Sequence, residues 1–243
     1  MPGGIVNTFV KPAWTVAAAL ALTGTTIAAP TVASGSPSPA RNGVCAGVSS
    51  CHRVATIDVD GDRRADQVGW HQLGKNRVEI RVRTVRGRSL RHTVNVRYWW
   101  KGGDWGGAAW IDGRPGAELL VGSLMGAHTP FYTMLTFRKG RLVMEKSPAV
   151  GAYGSDRWAI DSSLMAYAGW NRNVSPNGRI TMTQRVASRN GDGVEFKGHD
   201  VRYAWTAGHW KQVKRSPHWY KNSRKASKIG GWHVWHLQRF PGL

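Results

Sequence analysis

Nine consecutive residues, Asp58-Val59-Asp60-Gly61-Asp62-Arg63-Arg64-Ala65-Asp66, hold four of the 14 acidic side chains in this 243-residue chain. A hard cation such as calcium takes about six to eight oxygen ligands. Carboxylates at loop positions 1, 3 and 5 (Asp58, Asp60, Asp62) can converge on one point when a glycine permits a tight bend. The backbone carbonyl of Arg64 stands at position 7, and Asp66 at position 9 closes the loop as the chain enters a strand. Without an ion these carboxylates repel one another. The competing reading is a metal-free turn neutralised by Arg63 and Arg64. We expect one structural calcium ion, since four oxyanions from one loop leave little room for an open catalytic position.

The rest of the chain is strongly basic. Lys and Arg number 34, giving a net charge of +20. Residues 75–101 hold nine Lys or Arg against one acid, and residues 201–243 hold nine and no acid. Such regions form an electrostatic footprint for a polyanion. Arg77, Arg81, Arg83, Arg91 and Arg97 are the first candidates; a merely solvated basic face is the plainer alternative. Thirteen tryptophans are present. Trp99, Trp100 and Trp105 lie in a glycine-flanked cluster that can stack on sugar faces or fill a small β core.

Catalytic signals are weak. His233 and His236 would point to opposite faces of a strand. The chain has no nucleophile elbow, zinc-protease pair or phosphate-cradling glycine loop. A hydrolase acting on an extracellular polymer would need two carboxylates facing across a cleft, with Asp104, Asp156 and Asp161 available. Asp192 and Glu195 could also pair, but Asn190-Gly191-Asp192-Gly193 reads more simply as a hairpin turn.

The amino terminus reads as an export address. Lys11 is the only charge before Arg41, an apolar run covers Ala13 to Leu22, and Thr31-Val32-Ala33 offers a small-residue cleavage site. The run is short for a membrane span, and no later stretch is apolar enough for one. Residues 1–33 are therefore expected to be a signal peptide. Its removal takes away Lys11 and no acid, leaving +19. Residues 34–44 form a Ser/Pro-rich linker. Cys45 and Cys51 are expected to pair in an oxidising exterior.

From Cys45 onward the pattern is β. Val78, Ile80 and Val82 alternate with basic residues, and so do Leu90 to Val96 beyond the turn at Gly87, the signature of a hairpin with one apolar and one basic face. Phe131–Phe137 and Leu142–Met144 repeat the layout, and residues 179–186, 201–205 and 209–213 supply further strands. The one helical candidate is Ser223 to Lys228. Asp60-Gly61 and Ala65-Asp66 return 52 residues later as Asp112-Gly113 and Ala117-Glu118, and Trp158-Ala159-Ile160-Asp161 opens a weaker third unit. Multi-stranded units near 50 residues fit blade-like β modules.

On these motifs the chain resembles FG-GAP/VCBS-type repeat proteins, the calcium-loop repeats of integrin-like β-propellers, in a degenerate actinobacterial form. The resemblance implies extracellular four-stranded blades concerned with binding, with Asp58, Asp60, Asp62 and Asp66 standing where that family's ligands stand. Arg63 replaces the glycine usual after the third acid. The second unit keeps only Asp112 and Glu118, and the third only Asp161. The expected fold is all-β, a small propeller-like or sandwich-like domain over residues 45–243, with about three degenerate units near 58–100, 110–146 and 158–215. The expected function is a secreted, calcium-stabilised binding module. Its ligand would be an anionic or glycan polymer at the cell surface rather than nucleic acid. A polysaccharide-acting hydrolase and a purely structural domain are the alternatives.

Overall fold

The computed structural model describes residues 43–97, 105–149 and 156–234. The expected signal peptide, most of the expected linker, Trp99, Trp100, Asp104 and His236 lie outside them. The described chain is built from three sheets. Sheet A runs in order β1 (Cys51–Ile57), β2 (Asp66–Gln72), β3 (Arg77–Arg83), β4 (Ser89–Asn95). Sheet B follows with β5 (Trp105–Ala109), β6 (Glu118–Met125), β7 (Pro130–Arg138) and β8 (Arg141–Glu145), and β9 (Trp158–Ala159) pairs with β7. Sheet C comprises β10 (Asp161–Ser162), β11 (Ala166–Val174), β12 (Ile180–Arg189), β13 (Phe196–Thr206) and β14 (His209–Tyr220), with β15 (Gly231–His233) parallel to β11. Every other pairing between these strands is antiparallel.

The sheets form a sandwich-like stack held by two cores. Leu119, Val121 and Leu135 of sheet B pack with Val68, Ile80 and Val94 of sheet A. Leu120, Tyr132 and Met134, on the other face of sheet B, pack with Trp170, Met182 and Tyr203 of sheet C. Sheet B is thus covered on both sides, which explains why Leu119-Leu120-Val121 is a continuous apolar run. The β3–β4 hairpin alternates because only one of its faces is covered: Val78, Ile80 and Val82 are buried, while Arg77 and Arg91 are exposed. Strand β14 is an edge, as Pro217 within it requires, and its lysines discourage pairing with another chain.

The first two sheets are copies of one design. Strands β2 and β6 begin at Asp66 and Glu118, and β4 and β8 at Ser89 and Arg141, 52 residues apart in both cases. The third sheet departs from it, with six strands and lengths of up to 12 residues. The expected propeller does not form. The three sheets are separate and do not close into a ring, so the resemblance to FG-GAP/VCBS repeat proteins is not upheld by the architecture. A repeat of turns and strand lengths dictates the meander inside each unit. It does not dictate how units are set against each other, and here the apolar faces meet as layers.

The expected helix is present in two short pieces. The α-helix α1 (Ser223–Ala226) is capped by Asn222, whose Oδ1 accepts the Lys225 N–H at 3.0 Å, and a 3-10 turn follows over Ser227–Ile229. The Asn190–Glu195 segment is the anticipated hairpin turn, closed by Asn190 N–H donating to the Glu195 carbonyl at 2.9 Å.

Candidate cation and anion sites

The acidic loop between β1 and β2 brings three of its four carboxylates together. Asp58, Asp60 and Asp66 each place an oxygen within 4.8 Å of the others. Asp66 is fully buried and holds the loop's frame: its Oδ2 accepts the N–H groups of Val59 (2.9 Å) and Asp60 (3.2 Å), and its Oδ1 accepts that of Val85 (3.1 Å). Asp58 accepts from the N–H groups of Gly61 and Arg63 at 2.7 and 2.8 Å. Burial, and then the negative charges of Asp66, Asp62 and Asp58, push the Asp60 carboxyl above its usual range. A divalent cation in this cluster would relieve that repulsion.

Asp62 does not join the cluster. Its Oδ2 is held by Arg64 Nη2 at 3.1 Å and by Arg86 Nε at 3.0 Å. Arg64, expected to lend a carbonyl, meets Asp62 through its own N–H at 2.9 Å and its guanidinium. The neutralising arginines are thus Arg64 and Arg86, and they act on one acid. Arg63 has φ +67°, the left-handed conformation that favours glycine, so the unusual residue at this position carries a backbone cost.

The equivalent loop between β5 and β6 repeats the frame. Glu118 Oε2 accepts the N–H groups of Ile111 (2.7 Å) and Asp112 (3.3 Å), as Asp66 does with Val59 and Asp60. The two loops also bind each other. Ala117 N–H donates to the Asp58 carbonyl at 2.8 Å, and a Cβ on Gly116 would lie 2.3 Å from the Val59 oxygen, so only glycine permits this approach.

In the second loop a buried cluster replaces the open one. Asp112, Glu118 and Glu145 place oxygens within 4.8 Å of one another. Arg138 Nη2 is bonded to Asp112 Oδ2 and lies 3.8 Å from both Glu118 Oε1 and Glu145 Oε2. Thr136 Oγ1 donates to Glu118 Oε1 at 3.0 Å, and the Trp210 indole N–H to Glu145 Oε1 at 2.8 Å. Glu145 Oε2 is buried with no hydrogen-bond partner. Burial, reinforced by Asp112, pushes Glu118 up to about 8. Burial, then Glu118 and Asp112, raises Glu145 well above the carboxylate range. Burial also raises Asp112, against the opposing pull of the Arg114 N–H and Arg138. Three carboxylates and one guanidinium cannot all be charged in so dry a place, so the cluster keeps protons at neutral pH. Sequence reasoning counted Asp112 and Glu118 as remnants and missed Glu145 and Arg138, which are supplied by neighbouring strands. The available signal was the acid that ends β8 after the apolar Leu142-Val143-Met144.

The basic candidates divide. Arg81, Arg83 and Arg91 line a hollow of about 260 Å³ on the outer face of sheet A, walled by Gly43, Val44 and Ala46. The wall is set by the disulfide, which joins Cys45 and Cys51 with Cα atoms 5.3 Å apart. Val44 N–H donates to Gln67 Oε1 at 3.0 Å, and Arg81 Nε to the Val44 carbonyl at 3.2 Å. Arg81 also pairs with Glu79 at 2.8 Å, and Arg83 donates to Ser89 Oγ at 2.8 Å. Arg91 stands directly opposite Arg81 across the strands and, among the described residues, has no acidic partner. Arg77 lies at the far end of β3, and Arg97 leaves the face to bond the Ser123 carbonyl through its N–H at 2.9 Å.

Trp105 is corrected from candidate ligand platform to core: it is buried between sheets A and B. Apolar surface wins because β5 is covered throughout. Of the carboxylates weighed for hydrolysis, Asp156 is exposed and pairs with Lys146 at 3.1 Å. Asp161 is sealed, with Thr129 Oγ1 donating at 2.6 Å and His128 Nδ1 at 3.0 Å. Among the described residues no helix is long and apolar enough to cross a membrane. No family model matches the chain, and no curated protein or solved structure matches it.

Proposed function

We propose that the protein is an exported binding module that holds an anionic polymer at the cell surface through the arginine hollow of sheet A. One calcium ion in the Asp58–Asp66 loop would steady the layers behind it. The observation that carries this reading is the convergence of Arg81, Arg83 and Arg91 around one 260 Å³ hollow. Like charges directly opposite each other on a sheet weaken it, and Arg81 faces Arg91 in this way. Glu79 already holds Arg81, so an oxyanion in the hollow would draw its charge-assisted hydrogen bonds chiefly from Arg83 and Arg91. The signal-like amino terminus, the disulfide and the net charge of +20 support a partner outside the cell, where phosphate-bearing and acidic sugar polymers are the available polyanions.

The test is retention of the protein on immobilised polyphosphate and polygalacturonate at increasing salt. Native protein should be retained at low salt and released only as rising salt restores the counterions, later in the gradient than a variant with fewer cations. Arg83→Ala with Arg91→Ala should weaken binding and lower the salt slope by roughly one per cation removed. Equal retention of the native protein and this variant would sink the proposal.

A further inference from the structure

Among the described residues, the four most exposed large apolar side chains gather at one end of sheet C. Strands β11 and β13 begin there and β12 and β14 end there, as the pairings Ala166 with Ser188 and Phe196 with Tyr220 require. The turn before β11 carries Leu164 and Met165, which are 76% and 56% exposed. The turn between β12 and β13 carries Val194, 72% exposed, and the end of β14 carries Trp219, 62% exposed. Strands lie about 4.8 Å apart, so β11 to β14 spans roughly 14 Å. All four side chains therefore project from a narrow edge.

We infer that this edge is a tip that docks on an anionic lipid bilayer, with Leu164, Met165, Val194 and Trp219 entering the boundary between headgroups and acyl chains. Three observations support it. First, the cations are in the right place. Lys197 stands directly opposite Trp219, and Lys221, Arg224, Lys225 and Lys228 follow on exposed positions just beyond β14. They outnumber Asp192 and Glu195, the exposed acids of the Val194 turn. Indole and lysine side by side suit a membrane interface, where the ring sits at headgroup level and the ammonium meets lipid phosphate.

Second, the tip is rigid. Ser163 Oγ accepts the Ala166 N–H at 2.9 Å, and Arg189 N–H donates to the Met165 carbonyl at 2.8 Å. A third small core of Tyr167, Ala187, Phe196, Tyr220, Ala226 and Ile229 lies beneath. The apolar side chains are held out by a packed frame rather than left on loose loops. Third, they stand on separate turns and a strand end, with Lys197 beside Trp219, rather than on one continuous face. That pattern penetrates a fluid surface and does not make the flat apolar face a protein partner needs. The charge of +20 further opposes a second copy of this chain.

The experiment is co-sedimentation of the full chain with vesicles of phosphatidylcholine, with and without phosphatidylglycerol. The native protein should bind the anionic vesicles and leave the neutral ones in salt. Leu164→Ser with Val194→Ser should fall in partition about tenfold or more, from the apolar area withheld from lipid, with an unchanged melting temperature. Arg83→Ala with Arg91→Ala, in the hollow of sheet A, should still bind through the tip. Native protein that ignores both vesicle types overturns the inference. So does a Leu164/Val194 variant that binds as well as native, or one whose only change is a loss of self-association in sedimentation.

Discussion

The loops at Asp58–Asp66 and Asp112–Glu118 use one backbone frame and neutralise their acids in opposite ways. In both, the last acid accepts two successive N–H groups seven and six residues behind it. In the first loop Asp58, Asp60 and Asp66 face one another with no basic group among them, and Arg86 is drawn off to Asp62. In the second, Arg138 occupies the place 52 residues after Arg86. With Arg114 where the first loop has Asp62, its guanidinium is free to turn inward onto Asp112. The loops differ at several positions, with Trp110 where the first has Asp58 and Arg114 where it has Asp62, and these leave the first acid cluster able to take a cation from solution while the second takes one from the chain. The frame belongs to the fold, and the way the acids are neutralised belongs to the side chains beside it.

The largest effect should come from breaking the internal solution. Arg138→Leu leaves Asp112, Glu118 and Glu145 buried without their cation, and loss of one partner of such a group costs about 3–5 kcal/mol. Urea unfolding at pH 7.5 should show that loss, and it should shrink at pH 5, where the carboxyls of the unfolded chain also begin to hold protons and the cost of keeping them protonated in the fold falls. The variant should also gain stability from calcium at this cluster, as is expected of the first loop. A variant as stable as native at both pH values would remove Arg138 from the account.

A second effect concerns pH. Glu118 is pushed up to about 8 in the folded protein, against an ordinary value of 4.5. A carboxyl raised on folding keeps its proton while the unfolded chain gives one up. The folded state is therefore favoured at low pH and loses ground as pH rises through the window from about 4.5 to 8. The slope should be about 1.4 kcal/mol per pH unit for one proton. Glu118→Gln should flatten it, in unfolding curves taken at intervals between pH 5 and 8.

The first loop offers the complementary test. Saturating calcium at about 100 times the dissociation constant should stabilise the protein by roughly 2.7 kcal/mol. EDTA should lower the melting temperature, and Asp60→Ala should abolish the response. Unchanged melting on calcium or EDTA would leave the loop as a turn held by its own hydrogen bonds.

How much of this was legible in the residues differs between the two loops. The first acid cluster is contiguous in sequence, so its three convergent members could be read directly. Asp62 was misjudged because its partner Arg86 comes from a turn 24 residues away. The second cluster is assembled across β7, β8 and β14, and Trp210 reaches Glu145 from 65 residues off. No local spacing announces such a set. Alternation in β3 and β4 revealed the first sheet and its basic face. The continuous run in β6 gave strand but not layer, because burial on both faces erases the period that tells them apart. The same 52-residue repeat that exposed the first two sheets left propeller-like and sandwich-like arrangements both open, and the apolar faces stack.

The smallest expected effect isolates the backbone from the charges. Arg63 sits at φ +67°, and the adjoining Gly61 at φ +80°. A left-handed conformation costs a residue with a Cβ about 1–2 kcal/mol, while glycine gives part of that back through the greater freedom of its unfolded chain. Arg63→Gly should then stabilise the protein by about 0.5–1 kcal/mol in urea unfolding. Arg63 forms no ion pair among the described residues, so the gain should persist at high salt. The Arg63 N–H already donates to Asp58 at 2.8 Å, and glycine keeps that donor. If the substitution also tightens calcium, the strain at Arg63 is what holds the first cluster short of its best geometry. If stability rises and calcium affinity stays put, the two loops differ in charge alone.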